Sequence, residues 1–517
     1  MSDAFLTALE NTLTLKVLVV ILVSASYGLF VGAIPGLTAT MAVALMIPFT
    51  FFLDPISGLA AIVTMEACCI FAGDIPTTLM RIPGTPSSAA YVDDAYSLTQ
   101  QGRHQQALGV SLVYSVVGGL VGALVLIFLA PQLARIAFEF SSYEYFWLCV
   151  LGLSCAAVVS RGSLAKGLLS LSIGLLLSCV GLGSTHSVPR LTFGSDELIT
   201  GINFIPAMIG LFGLAEVLRN FSKRIPEATL VSNGAETQSR AASGNWLSRA
   251  IGEVFGGVGK RLANSGSRIA SSSAIGSAIG MLPGAGADIA AWVSYAVSKR
   301  RATPEQRKEY GRGSLDGIAD ATTANNASLA GAWIPALVLG IPGDSVTAIV
   351  IGVLLMKNIQ PGPGIFTDPV QLPLVYGIYI TFILANLLLI PLGFLAIRTG
   401  SLIIRIPRQI ILPLILMFCI VGAFAIDGSY FDVGVMLAMG LLGVVLERFE
   451  VPAGPVVLGI ILGGRLEEAF VQSLTKSDSL AAFFSRPIAA GLGVLCIAFW
   501  LAPLVSWLRR RAAAKPC

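Results

Sequence analysis

The sequence predicts an all-α polytopic membrane protein. It reads as two inverted-topology repeats with broken helices or re-entrant hairpins at Pro-Gly motifs, and roughly 12–15 hydrophobic segments. Three observations lead there. First, 55% of the 517 residues are hydrophobic and 12% charged, against about 25% charged in soluble proteins. The mean hydropathy is +0.81. Second, Pro-Gly pairs interrupt runs that are otherwise as apolar as a membrane helix. Third, equivalent loops of the two halves carry opposite charge bias.

The elements follow in order. Apolar runs such as Leu13–Ile34, Ala107–Ala130, Leu164–Gly183 and Val370–Ile397 approach the ~20 residues needed to cross hydrocarbon. They do not alternate as strands of an outer-membrane barrel would. The N-terminal segment, residues 1–15, lacks the basic region of a cleaved signal peptide, so a retained helix is expected. The first repeat is assigned to 16–220 and the second to 265–473. A polar linker, 221–264, lies between them, and a C-terminal helix with a basic tail, 474–517, follows. The repeats share two kinds of break in the same order. GAIPGLTATMAVAL from Gly32 matches GMLPGAGADIAAWV from Gly280, and the Asp74–Ala90 stretch matches Ala332–Phe366. Further on, aligning Pro206 with Pro455 also aligns Gly210 with Gly459.

Charge sets the orientation. The linker carries Lys223, Arg224, Arg240, Arg249, Lys260 and Arg261 and is expected in the cytoplasm. The loop Lys299–Gly313 is equally basic, whereas its first-half counterpart, Phe51–Ser57, has no positive charge. That contrast implies halves inserted in opposite senses.

A broken membrane helix exposes backbone N–H and C=O groups, which must face protein or a wet cavity. Its N-terminal ends attract anions, and its free carbonyls suit a hard cation. The candidate substrate-binding residues are therefore those at the breaks: Pro35, Gly36, Thr38 and Thr40; Pro83, Gly84, Thr85, Ser87 and Ser88; Pro283, Gly284 and Gly286; Pro342, Gly343 and Ser345. Asn325 and Asn326 add amides. Ionisable residues inside apolar runs are few: Glu66, Asp74, Glu216, Asp288 and Asp344. Asp288 and Asp344 sit at breaks, so they are the ion-coupling candidates, with Asn326 and Thr347 as oxygen neighbours and Na⁺ or H⁺ as the ion. Arg81 either pairs with a substrate carboxylate or snorkels to the interface.

Other chemistry finds no support. No phosphate-binding loop is present, no His/Cys cluster has metal spacing, and the net charge of +4 is no nucleic-acid signature. The eight cysteines read as small buried hydrophobes. No catalytic residue is assigned. Two alternatives stay open: a channel or carrier for another solute on the same scaffold, and an intramembrane aspartyl protease built on Asp288 and Asp344. The second lacks the sequence context of such enzymes.

The segments GDIPTTLMRIPGTPSSAA, GMLPGAGADIAAWVSYAVSKR, TTANNASLAGAWIPALVLGIPGD and GVLLMKNIQPGPGIF resemble the large, TctA-type membrane subunit of the tripartite tricarboxylate transporter family, from about Ala33 to Glu468. The resemblance implies a multi-pass subunit in a bacterial inner membrane. It implies import of tricarboxylates, dicarboxylates or aromatic carboxylates by cation symport, with Na⁺ favoured and an elevator-type movement. It also implies two protein partners, a small TctB-type membrane subunit and a periplasmic TctC-type solute-binding protein. Neither it nor the residues fix the oligomeric state. Two departures stand out: Asp344 replaces a small residue after Ile-Pro-Gly, and Asp94-Ala95 replaces Asp-Gly.

Overall fold

The computed structural model describes residues 2–159, 163–183, 188–222, 246–284, 286–403, 408–477 and 479–513. Among the sequence assignments, His186, Lys223, Arg224, Arg240, Ala285, Cys517 and most of the linker lie outside these residues. The chain is helical almost throughout. Its first helices are α1 (Ser2–Thr12), α2 (Leu15–Gly32), α3 (Ala39–Phe51), α4 (Pro55–Ala72), α5 (Asp74–Met80), α6 (Val92–Gln100), α7 (His104–Ala137), α8 (Ser142–Val159) and α9 (Leu164–Ser178). Then come α10 (Phe204–Met208), a π-helical stretch (Ile209–Leu214), α11 (Ala215–Ser222), α12 (Trp246–Phe255) and α13 (Val258–Asn264). The remainder are α14 (Gly266–Gly280), α15 (Gly286–Arg301), α16 (Pro304–Arg307), α17 (Leu315–Leu339), α18 (Ser345–Met356), α19 (Leu372–Ile403), α20 (Arg408–Asp427), α21 (Tyr430–Arg448), α22 (Gly454–Lys476) and α23 (Pro487–Ala513).

Among the described residues, 5 helical stretches are long and apolar enough to cross a membrane: Leu15–Gly32, Pro55–Met80, His104–Ala137, Leu372–Gly400 and Tyr430–Arg448. Shorter apolar helices, including α3, α9 and α18, fall below that length. The breaks account for α3 and α18, which each begin beyond a Pro-Gly pair. The run from Leu164 ends sooner than its hydropathy suggests. Its helix stops at Ser178, and Gly181–Leu182 then pairs antiparallel with Pro189–Arg190. Gly181, at φ 103°, permits that turn.

The chain forms two compact units, Met1–Ala134 with Ile205–Val445, and Arg135–Phe204 with Leu446–Cys517. Each draws on both halves of the sequence. In the first unit, α17 is central, with nearly every residue buried, its polar Asp320, Asn325 and Asn326 included. Helix α2 packs on α4, and α14 on α17. Both contacts use glycines four apart. A methyl on Gly28 or Gly32 would lie 2.4 or 2.2 Å from the Met65 or Cys69 carbonyl oxygen. On Gly276 or Gly280 it would lie 2.2 or 2.3 Å from that of Ala324 or Ser328. Small residues at this spacing let membrane helices approach backbone to backbone. The linker is not polar coil to its end. Its last part forms α12 and α13, and Val254 and Val258 enter buried apolar clusters with residues of α7.

In the second unit α22 packs on α8 and α9. Arg190 holds Glu467 through two hydrogen bonds of 2.8 and 2.9 Å. Arg486 reaches the buried Glu144 at 3.2 Å. The glycines aligned in the sequence do the same work in different units. A methyl on Gly210 would strike the Met436 carbonyl at 2.3 Å, and one on Gly459 would strike Gly174 at 2.8 Å.

Candidate functional site

All four Pro-Gly breaks belong to the first unit, and each has a local cause. Helix α2 stops before Pro35-Gly36, with Gly36 at φ 90°. Helix α3 restarts at Thr38, whose side chain accepts from Met41 N at 3.2 Å, one of the orphan donors of a helix start. The third break repeats the plan, with Gly284 at φ 77° and Gly286 at φ 66°.

The second and fourth breaks match in more detail. Helix α5 ends at Arg81, left-handed at φ 58°, and α17 at Gly340, left-handed at φ 66°. The next residue, Ile82 or Ile341, closes onto the carbonyl of a proline six back, Pro76 or Pro335, at 3.5 and 3.3 Å. Gly84 then lies against Gly73, and Gly343 against Ala332, where added methyls would approach to 2.3 and 2.8 Å. Thr85 and Ser88 exchange reciprocal bonds, Ser88 N to Thr85 Oγ1 and Thr85 N to Ser88 Oγ, each 3.2 Å. Asp344 and Thr347 do the same, Thr347 N to Asp344 Oδ1 at 2.8 Å and Asp344 N to Thr347 Oγ1 at 2.9 Å. Asp344 is thus the N-cap of α18, the place that Thr85 fills without charge.

The breaks touch one another. Gly284 N donates to the Gly343 carbonyl at 2.8 Å, joining the third to the fourth. Thr40 and Ser345 share a hydroxyl hydrogen bond of 2.7 Å, joining the first to the fourth. Asn325 Nδ2 donates to Ser87 Oγ at 3.0 Å, and Trp292 Nε1 to the Pro86 carbonyl at 3.2 Å, tying the second break to α17 and α15. Ala39 and Ala287, each just past a break, pack on Ala67, Ile70 and Leu329. Thr38, Thr40, Asp344 and Ser345 are half-buried, while Thr85, Ser87, Ser88 and Thr347 are buried. The result is a connected set of hydroxyls and helix N-termini inside an apolar body.

Several acceptors there lack partners. The Oδ1 atoms of Asn325 and Asn326 are buried with no hydrogen bond, although Asn326 Nδ2 reaches the Thr322 carbonyl at 3.1 Å. Pro35 and Pro342 are buried, whereas Pro83 is exposed. Asp288 is half-buried in the first turn of α15. Arg81 does not point to an open anion site. It holds Asp93, with Nη2 at 2.8 Å, and lies 5.9 Å from the centre of the Tyr96 ring. Among the described residues no three or more of His, Cys, Asp and Glu gather as a metal centre, and Cys68, Cys69, Cys149, Cys155, Cys419 and Cys496 are buried free thiols.

Sequence reading underrated two acids. Asp94, fully buried, accepts from the backbone N–H groups of Gly311, Gly313 and Ser314 at 2.7–2.9 Å and from the Tyr295 hydroxyl at 2.6 Å. Its Val-Asp-Asp-Ala-Tyr surroundings look solvated, and its partners lie more than two hundred residues away. Glu66, 1% exposed, sits in α4 beside no basic group. Its position within an apolar run was its only sequence signal.

Comparison with known proteins places the sequence. A protein of Agrobacterium vitis, named as an uncharacterized 52.8 kDa protein in the TAR-I ttuC' 3' region, is 32% identical over 506 residues, 96% of this chain and 95% of that protein. A second from the same organism, an uncharacterized protein in the TAR-II ttuC' 3' region, is 36% identical over 234 residues, 44% of this chain and 95% of its own length. No solved structure matches. The tripartite tricarboxylate transporter TctA family matches residues 18–458, across all four breaks, and the chain belongs to that family.

Proposed function

We propose that this chain is the carrier subunit through which a carboxylate enters a bacterial cell by cation symport, with Na⁺ as the coupling ion. The observation that carries the reading is the meeting of broken helices from both halves, through Thr40 with Ser345, Ser87 with Asn325 and Pro86 with Trp292. Matched broken segments in two halves mark the binding site of secondary transporters. In this reading Thr38, Thr40, Ser87, Ser88 and Ser345 offer hydroxyl donors to substrate carboxylates. Helix N-termini at the breaks add N–H groups and positive dipole ends. Free carbonyls at the breaks, with Asn325, Asn326, Asp288, Asp344 and Thr347, supply the oxygens that a hard cation needs.

The recurring geometry of the breaks supports two related halves, and the charge contrast between Lys299–Gly313 and Phe51–Ser57 supports opposite insertion. Family membership supports the two partners, a small membrane subunit and a periplasmic solute-binding protein, and a place in the inner membrane. An elevator-type movement would carry the body that holds the breaks. The test is uptake of labelled di- and tricarboxylates by proteoliposomes holding the membrane subunits, with the binding protein outside. Uptake that needs both the binding protein and an inward Na⁺ gradient is expected. Flux that is indifferent to the cation gradient would point to a channel and sink the symport reading.

A further inference from the structure

Cation coupling, as read above, requires a seat for one positive charge, and the first unit contains one away from the loop tips. Glu66 lies in the middle of α4, where every residue from Ser57 to Ala72 is buried. Its Oε2 makes no hydrogen bond. The Trp333 indole N–H is turned toward the carboxyl but closes no hydrogen bond either. Another acid, Asp344 at the fourth break, belongs to the same packing: a methyl on Gly286 would lie 3.5 Å from its Cβ, and Ala287, the next residue, packs on Ala67 beside Glu66.

The neighbouring helices offer no counter-charge. Those packed against α4 are α1, α2, α3, α5, α17, α18 and α19. Their basic residues are Lys16 and Arg398, which bind Asp54 and Glu253. Their other acids are accounted for or distant in the chain. Asp74 is bonded by Tyr91 and Ser111, Asp316 and Asp320 by Arg268, and Asp3 and Glu10 belong to the N-terminal α1. A carboxylate removed from water without a partner is costly enough that it must acquire a positive charge. Intramembrane acids of this kind mark ion or proton paths.

We propose that Glu66 is the seat of the coupling cation, one monovalent charge held on its carboxylate, with Asp344 at the fourth break as the neighbouring acid. Asp344 caps α18, so occupancy of this seat bears directly on the loop that also holds Ser345 and touches Gly284. Na⁺ and H⁺ both satisfy the same chemistry, a single charge on a buried carboxylate.

The test uses the purified membrane complex without substrate. Thermal unfolding is followed in NaCl and in choline chloride at equal ionic strength, at acid, neutral and alkaline pH, for the wild type and Glu66→Gln. An NaCl-specific rise in Tm that disappears in Glu66→Gln assigns Na⁺ to the seat. A Tm that varies with pH, without an NaCl-specific rise, and flattens in Glu66→Gln assigns the proton. A variant that keeps the full wild-type response, or a wild type with neither response, overturns the proposal. Should Glu66→Gln not fold, Asp344→Thr reads the same increment from the other acid while keeping a cap of the Thr85 type. Carboxylate uptake is measured separately. Its absence in the wild type would refute the carrier reading and leave the cation response standing.

Discussion

Thr40 and Ser345 stand 305 positions apart and share a hydrogen bond of 2.7 Å between the first and fourth breaks. Both are half-buried, so the pair is at once a strut and an exposed donor set. Replacing either hydroxyl, as in Thr40→Val or Ser345→Ala, is expected to cost about 1 kcal/mol of stability. The double variant should lose less than the sum of the two, since they share one bond. Thermal unfolding of the four proteins measures the coupling. Additive losses would show that the hydroxyls act independently.

Gly84 and Gly343 admit no side chain, because a methyl would meet backbone at 2.3 and 2.8 Å. Gly84→Ala and Gly343→Ala are expected to destabilise by about 1–3 kcal/mol or more and to abolish uptake. Gly464, in α22 with nothing within 4 Å of an added methyl, is the control. Gly464→Ala should leave uptake unchanged and stability unchanged or raised by about 0.5–1 kcal/mol. Yield and Tm of the three variants decide the matter.

Asp94 gathers three backbone N–H groups of the loop after α16 and one phenol. An asparagine there keeps the shape but loses the charge and turns one acceptor into a donor. Asp94→Asn is expected to cost about 1.5–3 kcal/mol, the scale of a hydrogen bond to a charged group. Amide hydrogen exchange at Gly311, Gly313 and Ser314 should accelerate selectively. Uniform acceleration across the chain would mean a global effect.

The proposed opposite insertion of the halves can be tested by labelling. The described cysteines are buried, apart from the half-buried Cys179, so background reaction with a bulky impermeant maleimide is expected to be low. A cysteine at Phe52, which is 75% exposed, should react from the periplasmic side. One at Lys308, exposed in the basic loop, should react only after the membrane is opened. Labelling of both from the same side would refute the inverted arrangement.

The sequence was most informative where chemistry is local. A proline and a glycine in an apolar run foretell a break. Partners set by distance in the fold were hidden. Nothing near Asp94 names Gly311, and nothing near Ser87 names Asn325. Glu66 could be seen only as an oddity, because its meaning rests on seven surrounding helices whose two bases, Lys16 and Arg398, bind other acids. The helical end of the linker escaped notice because Val254 and Val258 sit among glycines and charges, and their apolar partners Leu108 and Val110 come from α7.

The glycine contacts of the two units have a consequence for how the molecule is made. The π-helical stretch that ends the first half rests, at Gly210, on Met436 of α21, from the second half. Helix α22, which ends the second half, rests, at Gly459, on Gly174 of α9, from the first. Each half lends its last helix to the other, like two people linking arms. During synthesis, α9 leaves the ribosome long before the surface that will cover it exists, and must wait in the bilayer for α22. A single half released alone would leave that surface uncovered.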